Sequence, residues 1–182
     1  MRYKLKIADL LVTQNVLRNF KQLDNMMNHV DVDGLWTLDV IKKFNFWAKR
    51  FKIDYTNCGD SLIAISELPD GTRYIRDGHH RCFATLKSGR EYLSDSEYVL
   101  TKMTYEQYMS VNFDVGWVTP FDPRHQVRLS DFMDFKHLVI YMRTDHSDDE
   151  VIEYIKKNKF NYMCPRTVHT IAEMFDVYEV LK

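Results

Sequence analysis

Residues 77–81, with the sequence Asp-Gly-His-His-Arg, combine the residue types that bind phosphate groups. A strand-like segment precedes them and a helical pattern follows, which predicts a strand–turn–helix junction over Asp77–Lys87. A helix that begins directly after a glycine turn offers unpaired backbone N–H groups and the positive end of its dipole at one point. Gly78 permits close approach of the backbone, and the guanidinium of Arg81 can grip phosphate oxygens. The sequence therefore predicts an anion site at this turn.

Phosphate chemistry also needs a base or a metal ligand, and Asp77 is the first candidate because it adjoins the turn. Glu67 and Asp9 are further carboxylates that could serve. The alternative for Asp77 is that it accepts hydrogen bonds from the turn and fixes its shape. The histidines leave a similar choice: either His79 or His80 contacts phosphate and takes part in catalysis, while the other packs beneath the turn. Two adjacent imidazoles do not converge on one ion, so no metal site is predicted from this pair.

A second segment, residues 119–128, carries two prolines, two arginines and a histidine. Its charged residues, Arg124, His125 and Arg128, could fold over the phosphate or bind an acidic substrate. The alternative is a proline-shaped surface connection whose charges are solvated. Both interpretations stay open at the level of the sequence.

The three cysteines are odd in number, and no two of them stand in a Cys-x-x-Cys arrangement. Neither a disulfide framework nor a structural zinc site is therefore expected. Cys82 lies near the start of the helix that follows the turn, where the pKa of a thiol can fall. Its other interpretation is a small buried thiol that packs in the core.

The elements that must position these residues follow from hydrophobic periodicity and turn chemistry. Pro69-Asp70-Gly71 is typical of a hairpin turn between two strands. The predicted elements are a strand within 3–11, helices over 19–30 and 38–51, hairpin strands over 61–65 and 72–76, the helix after the turn, a strand over 98–103, a short helix or turn over 105–111, and helices over 148–157 and 167–180.

The composition fits one small domain with a substantial core, since 45% of the 182 residues are hydrophobic and 14% are aromatic. Twenty-five Lys and Arg against 26 Asp and Glu give a formal net charge of −1. No global field would therefore attract DNA or an anionic membrane, and nucleic-acid binding would need a local patch. No segment has the length and apolarity of a membrane span, so we expect a cytoplasmic protein with no membrane partner.

The run Tyr74–Lys87 resembles the "DGHHR" segment common in the ParB/sulfiredoxin superfamily, where a hydrophobic strand precedes the motif and a small-residue helix follows. The likeness extends to Lys6–Leu11, which is similar to the opening strand and loop of that family, and so covers roughly the first half of the chain. It implies an α+β fold with a small mixed sheet, packed helices and a helical C-terminal part. We expect a ParB/sulfiredoxin-like domain over residues 1–145 and a helical extension packed on it over 146–182.

The resemblance implies that the turn binds nucleotide phosphates through Gly78, His79, His80 and Arg81, with ATP or CTP and Mg²⁺ as the expected ligand. Sulfiredoxin carries its reactive cysteine where this chain has His79, so sulfiredoxin chemistry is not expected. ParB proteins share the glycine and arginine of the turn, but this chain shows neither a clear arginine-rich box near its start nor a convincing helix-turn-helix. Free-amino-acid kinases with a ParB-like domain use an activating carboxylate, which Asp77 could supply.

The leading expectation is a nucleotide-binding enzyme that transfers or hydrolyses a phosphoryl group, with a small molecule or a protein as substrate. Two alternatives remain: a ParB-like DNA-binding or nuclease module, and an interaction domain that has lost catalysis.

Overall fold

The computed structural model describes residues 5–14, 16–18, 20–51, 59–110, 127–134, 142–143, 147–157, 160–165 and 178–179. The chain divides into two compact units, of which the first joins Met1–Gln14 to Lys21–Ser130. The second joins Asn15–Phe20 to Asp131–Lys182. Helices and small mixed sheets together confirm the predicted α+β class.

The strands, in chain order, are β1 (Leu5–Lys6), β2 (Leu11–Val12), β3 (Val16–Arg18), β4 (Ile63–Glu67), β5 (Arg73–Asp77), β6 (Tyr92–Leu93), β7 (Tyr98–Lys102), β8 (Met133–Asp134), β9 (Met142–Arg143), β10 (Phe160–Met163) and β11 (Tyr178–Glu179). The helices are α1 (Phe20–Asp33), α2 (Leu38–Arg50), α3 (His79–Lys87), α4 (Tyr105–Met109) and α5 (Asp148–Lys157). Short 3₁₀ turns cover Ile7–Asp9 and Leu129–Asp131.

The main sheet of the first unit has the strand order β2-β5-β4-β7. β2 runs parallel to β5, β5 antiparallel to β4, and β4 parallel to β7. The predicted hairpin between β4 and β5 is confirmed, and the amide of Leu68 donates to the carbonyl of Thr72 at 2.9 Å across its turn. The Asp70 side chain accepts from the amide of Thr72 at 2.9 Å, as expected for an Asp-Gly turn. The central strand β5 of this sheet therefore leads directly into the turn at residues 77–81.

Helix α3 is buried around most of its circumference, since the consecutive residues Cys82, Phe83 and Ala84 are all buried. Strand β6 follows this helix in the chain and pairs antiparallel with β1, with Leu5 opposite Leu93. Since every polar group of a buried helix start must find a partner or face water, the beginning of α3 decides what the turn can bind.

A buried polar network fixes the start of α2 against α3. The carboxylate of Glu97, fully buried, accepts from the amide of Trp36 at 2.8 Å and from the Arg90 guanidinium at 2.6 Å. The indole N–H of Trp36 donates to the hydroxyl of Thr85 on α3 at 3.1 Å. Because the buried charge is paired and hydrogen-bonded, this network holds α2 and α3 in a defined geometry.

The second unit contains strands as well as the predicted helix over 148–157. β10 pairs antiparallel with both β3 and β8, and β11 pairs antiparallel with β9. Of the helix predicted over 167–180, residues 167–177 and 180 lie outside the described part of the chain. At Tyr178–Glu179 the helix prediction is wrong, since pairing with β9 outweighs helical periodicity at this aromatic position.

Every described helix is too short or too polar to cross a bilayer.

Candidate phosphate site at the Asp77–Arg81 turn

Two parallel strands end side by side next to the predicted site. Leu11 and Val12 of β2 pair with Tyr74 and Ile75 of β5 in parallel register. Thr13 and the turn therefore follow their strands at the same edge of the sheet. In open sheets with parallel strands, ligands bind outside the carboxyl ends of the strands. This edge is thus the part of the first unit where a ligand site is most expected.

Gly78 makes the tight turn that the sequence predicts. Its backbone is left-handed, with φ 93° and ψ 23°, and it caps the N-terminus of α3. A Cβ at this position would lie 3.0 Å from Cγ1 of Ile63 and 3.2 Å from Nη2 of Arg81. Glycine is therefore required by conformation and by space together. The first intrahelical bond runs from the amide of Cys82 to the carbonyl of Gly78, so the amides before it need other partners or a ligand.

His79 is buried, with 5% of its surface exposed. Its Nε2 accepts a hydrogen bond from the amide of Thr13 at 3.1 Å, and the Thr13 hydroxyl donates to the carbonyl of Ile75 at 2.7 Å. Burial, helped by the positive charge of neighbouring His80, lowers the pKa of His79 to about 3. His79 is therefore a neutral acceptor that joins the end of β2 to the start of α3, which corresponds to the packing role of the two considered for it.

The buried state of His79 predicts a specific pH dependence. Between about pH 6.5 and about pH 3 the unfolded imidazole binds a proton that the folded one does not, so the free energy of unfolding falls as the pH falls. In that window wild type is expected to lose about 1.4 kcal/mol more per pH unit than His79→Gln, whose amide oxygen can replace Nε2 as acceptor. Urea unfolding at pH 7, 6 and 5 measures the difference, and parallel curves for the two proteins would contradict it.

Arg81 lies beneath the turn, with only 2% of its side chain exposed. Its Nη1 donates to the carbonyl of Ser61 at 2.7 Å, and its Nη2 is 3.4 Å from the carboxylate of Asp77. The sequence predicted a guanidinium that reaches phosphate directly. In the structure the guanidinium instead connects Asp77, at the end of β5, to the carbonyl of Ser61 before β4. Its positive charge therefore lies inside the protein, next to the turn.

Asp77 and His80 are the two side chains of the turn that remain accessible. Asp77 is 59% exposed on its side chain, and His80 is half-buried in the first turn of α3. The contact of Asp77 with Arg81 is compatible with both roles considered for this carboxylate. Among the described residues, no group of three or more His, Cys, Asp or Glu side chains is placed to hold a metal ion. A magnesium ion would therefore fit only in the way usual for nucleotides, held by phosphate oxygens and one carboxylate.

The other two candidate carboxylates lie at the opposite end of β5. Glu67 pairs with Nε of Arg73 at 2.8 Å and with Nζ of Lys102 at 3.7 Å. Asp9 pairs with Nζ of Lys6 at 3.9 Å. Since Arg73 begins β5 and Asp77 ends it, the structure does not bring Glu67 or Asp9 to the turn.

Of the second predicted segment, Arg124 and His125 lie outside the described residues. Arg128 forms an antiparallel bridge with Leu11 and lines a cavity of about 410 Å³ together with Lys6 and Arg73. This cavity opens at the amino end of β5, away from the turn. Arg128 and the turn are therefore not parts of one site.

Cys82 is fully buried, and desolvation raises the pKa of its thiol to about 12. Because the thiolate is the reactive form, this cysteine cannot act as a nucleophile at neutral pH. The interpretation as a small buried thiol is confirmed.

Thr13 and Ser61 contribute to the site although sequence reasoning did not single them out. Thr13 could have been found from the sequence. It directly follows β2, and a polar residue at the end of one parallel strand lies near the residues that follow the adjacent strand, here β5. Ser61 contributes a backbone carbonyl, and no side-chain pattern announces such a contact.

No family model matches the chain, and no curated protein matches it. Among solved structures the chain is similar to protein Atu1540 from Agrobacterium tumefaciens, with 18% sequence identity and a TM-score of 0.41. The similarity covers 83% of this chain and 79% of that chain. A likeness at this level carries no function from one protein to the other.

Proposed function

We propose that the protein binds a nucleoside triphosphate, ATP or CTP with Mg²⁺, at the Asp77–Arg81 turn and transfers or hydrolyses a phosphoryl group there. One observation carries the proposal. The start of α3, capped by Gly78, lies at the carboxyl ends of the parallel strands β2 and β5, next to the buried guanidinium of Arg81. The resemblance of this segment to the phosphate-binding turn of the ParB/sulfiredoxin superfamily supports it. The acceptor is a small molecule or a protein, and the protein acts in the cytoplasm, where nucleotides are abundant.

The proposal gives each residue of the turn a distinct task. Backbone amides at the start of α3 and the imidazole of His80 bind phosphate oxygens. Arg81 adds positive charge without leaving its buried position, and its contact with the Ser61 carbonyl keeps the turn in shape. His79 is a positioning residue that holds the end of β2 against the turn. Asp77 is the accessible carboxylate that serves as base or as magnesium ligand.

The proposal is tested by thermal shift with ATP, ADP, CTP and GTP in the presence of Mg²⁺. Ligand at about a hundred times its Kd is expected to raise the melting temperature by roughly 5–10 °C, because it binds only the folded state. His80→Ala is expected to weaken binding roughly tenfold, since it removes a charge-assisted contact. Asp77→Asn is expected to lose phosphate release or transfer in either role, with binding retained for a base and weakened for a magnesium ligand.

Glu106→Gln on α4 is the matched control, because it neutralises an exposed carboxylate outside the turn. It is expected to behave as wild type in both assays. Absence of a shift with every nucleotide would refute the proposal. If His80→Ala leaves the shift unchanged, the nucleotide binds at a site other than the turn. Nucleotide binding without turnover would support the binding site but contradict the proposed transfer or hydrolysis of a phosphoryl group.

A further inference from the structure

Helix α2 and the residue that caps its C-terminus carry three large exposed aromatic side chains. Phe46, Trp47 and Phe51, at the end of the helix, are 58%, 44% and 65% exposed. The rings of Trp47 and Phe51 are stacked, with centroids 5.5 Å apart and planes at 15°, and Phe46 meets Trp47 edge-on at 5.4 Å. These three residues, called here the α2 aromatic patch, form one continuous ring surface.

The core does not need this patch. Other positions of α2 already supply the buried residues Ile41 and Ala48, and Phe44 packs edge-on against Trp36 at 5.6 Å. Asn45 fixes the helix further, since its side-chain amide donates to the carbonyl of Gly59 at 2.8 Å. Burying three large rings would stabilise the fold, so rings left in solvent on a helix that is otherwise anchored indicate a binding surface.

Positive charge surrounds the patch on both sides. Lys43 and Arg50 share a helical face with Trp47, while Lys42 and Lys49 flank Phe46 along the adjacent row. All four cations are exposed, and the guanidinium of Arg50 lies 5.9 Å from the ring of Trp47. Asp39 is the sole carboxylate in α2. A chain with a net charge of −1 thus carries a strongly basic local surface, which is what nucleic-acid binding would need.

We propose that the α2 aromatic patch binds single-stranded nucleic acid, with bases stacked on the rings of Trp47 and Phe51 and phosphates held by the flanking lysines and Arg50. Stacking platforms with interleaved cations bind single strands with little sequence preference, because every base has a π-face. A duplex keeps its bases paired and presents none of these faces. The proposal is independent of the Asp77–Arg81 turn.

Charge decides between this ligand and two others. A second copy of the chain, placed face to face on the patch, would bring lysines against lysines, and like charges across an interface are unfavourable. A membrane-surface helix submerges a whole apolar face, whereas the apolar face of α2 lies in the core. An anionic polymer with exposed rings of its own satisfies both the charge and the aromatic surface.

The test measures fluorescence anisotropy of labelled oligothymidylate, alone and annealed to its complement, at several salt concentrations. Wild type is expected to prefer the single strand and to lose affinity as salt rises. Trp47→Ala with Phe51→Ala is expected to weaken binding at least roughly tenfold, and Lys49→Ala with Arg50→Ala to weaken it and flatten the salt dependence. Quenching of tryptophan fluorescence by the oligonucleotide should disappear in Trp47→Phe with its affinity largely kept.

Tyr105→Ala is the matched control. This ring on α4 is 43% exposed, close to the 44% of Trp47, but it lies outside the patch. It is expected to bind as wild type, and all variants are expected to melt as wild type does. Equal affinity for duplex and single strand would overturn the proposal, as would affinity insensitive to the double aromatic variant. Binding to phosphatidylserine vesicles or self-association through the patch, without oligonucleotide binding, would overturn it in favour of those partners.

Discussion

Arg81→Ala is expected to lower the free energy of unfolding by about 3 kcal/mol, mostly the cost of the cavity left by a large buried side chain. The side chain is 2% exposed, so its removal empties space inside the first unit. The carbonyl of Ser61 also loses its donor at 2.7 Å. The contact with Asp77 contributes little to this figure, because that carboxylate is 59% exposed and stays hydrated.

Two further variants separate these contributions. Arg81→Met keeps most of the buried stem and loses only the donors, so it is expected to cost about half as much as alanine. Asp77→Asn removes the exposed partner and is expected to change stability by less than about 1 kcal/mol. Urea denaturation followed by circular dichroism provides the three values. If Arg81→Ala unfolds as wild type does, the guanidinium does not support the turn.

This result bears on function because a buried arginine cannot be tested as a ligand by simple deletion. A variant that unsettles the turn would lose nucleotide binding for structural reasons. The accessible residues, Asp77 and His80, are therefore the ones whose substitution reports on phosphate chemistry.

Local features of the fold were predictable from the sequence. The hairpin between β4 and β5, the glycine turn and the following helix all depend on neighbouring residues, whose conformational preferences act over a few positions. The predicted helices near 19–30 and 38–51 correspond to α1 and α2, with ends that differ by a few residues. Patterns of this kind identify helices, strands and turns, but they do not show which of these elements contact one another.

The parts of the site that sequence reasoning did not find depend on contacts between distant segments. Thr13 and His79 are 66 positions apart, and Arg81 meets the carbonyl of Ser61 across 20 positions. An arginine after a glycine turn reads as a phosphate ligand until its burial is known. The exposure of the α2 aromatic patch also depends on distant segments, because hydrophobic periodicity alone does not distinguish a stripe of rings in the core from one in solvent.

Gly78→Ala is expected to lower the free energy of unfolding by about 3 kcal/mol, through backbone strain and overpacking together. The left-handed φ of 93° disfavours any side chain, and the new Cβ would lie 3.0 Å from Ile63 and 3.2 Å from Arg81. Ile63 is fully buried on β4 and Arg81 is held by the Ser61 carbonyl, so neither can withdraw without disturbing the sheet or the turn.

Gly71→Ala isolates the strain from the crowding. Gly71 has a similar left-handed φ of 83°, but a Cβ there would meet nothing within 4 Å. Its substitution is expected to cost about 1 kcal/mol, the price of the backbone conformation alone. The difference between the two variants, measured by urea unfolding, then reports how closely Ile63 and Arg81 approach the turn. Equal costs would mean that these neighbours yield, and the backbone of the turn would then lack the close packing that a preorganised phosphate site requires.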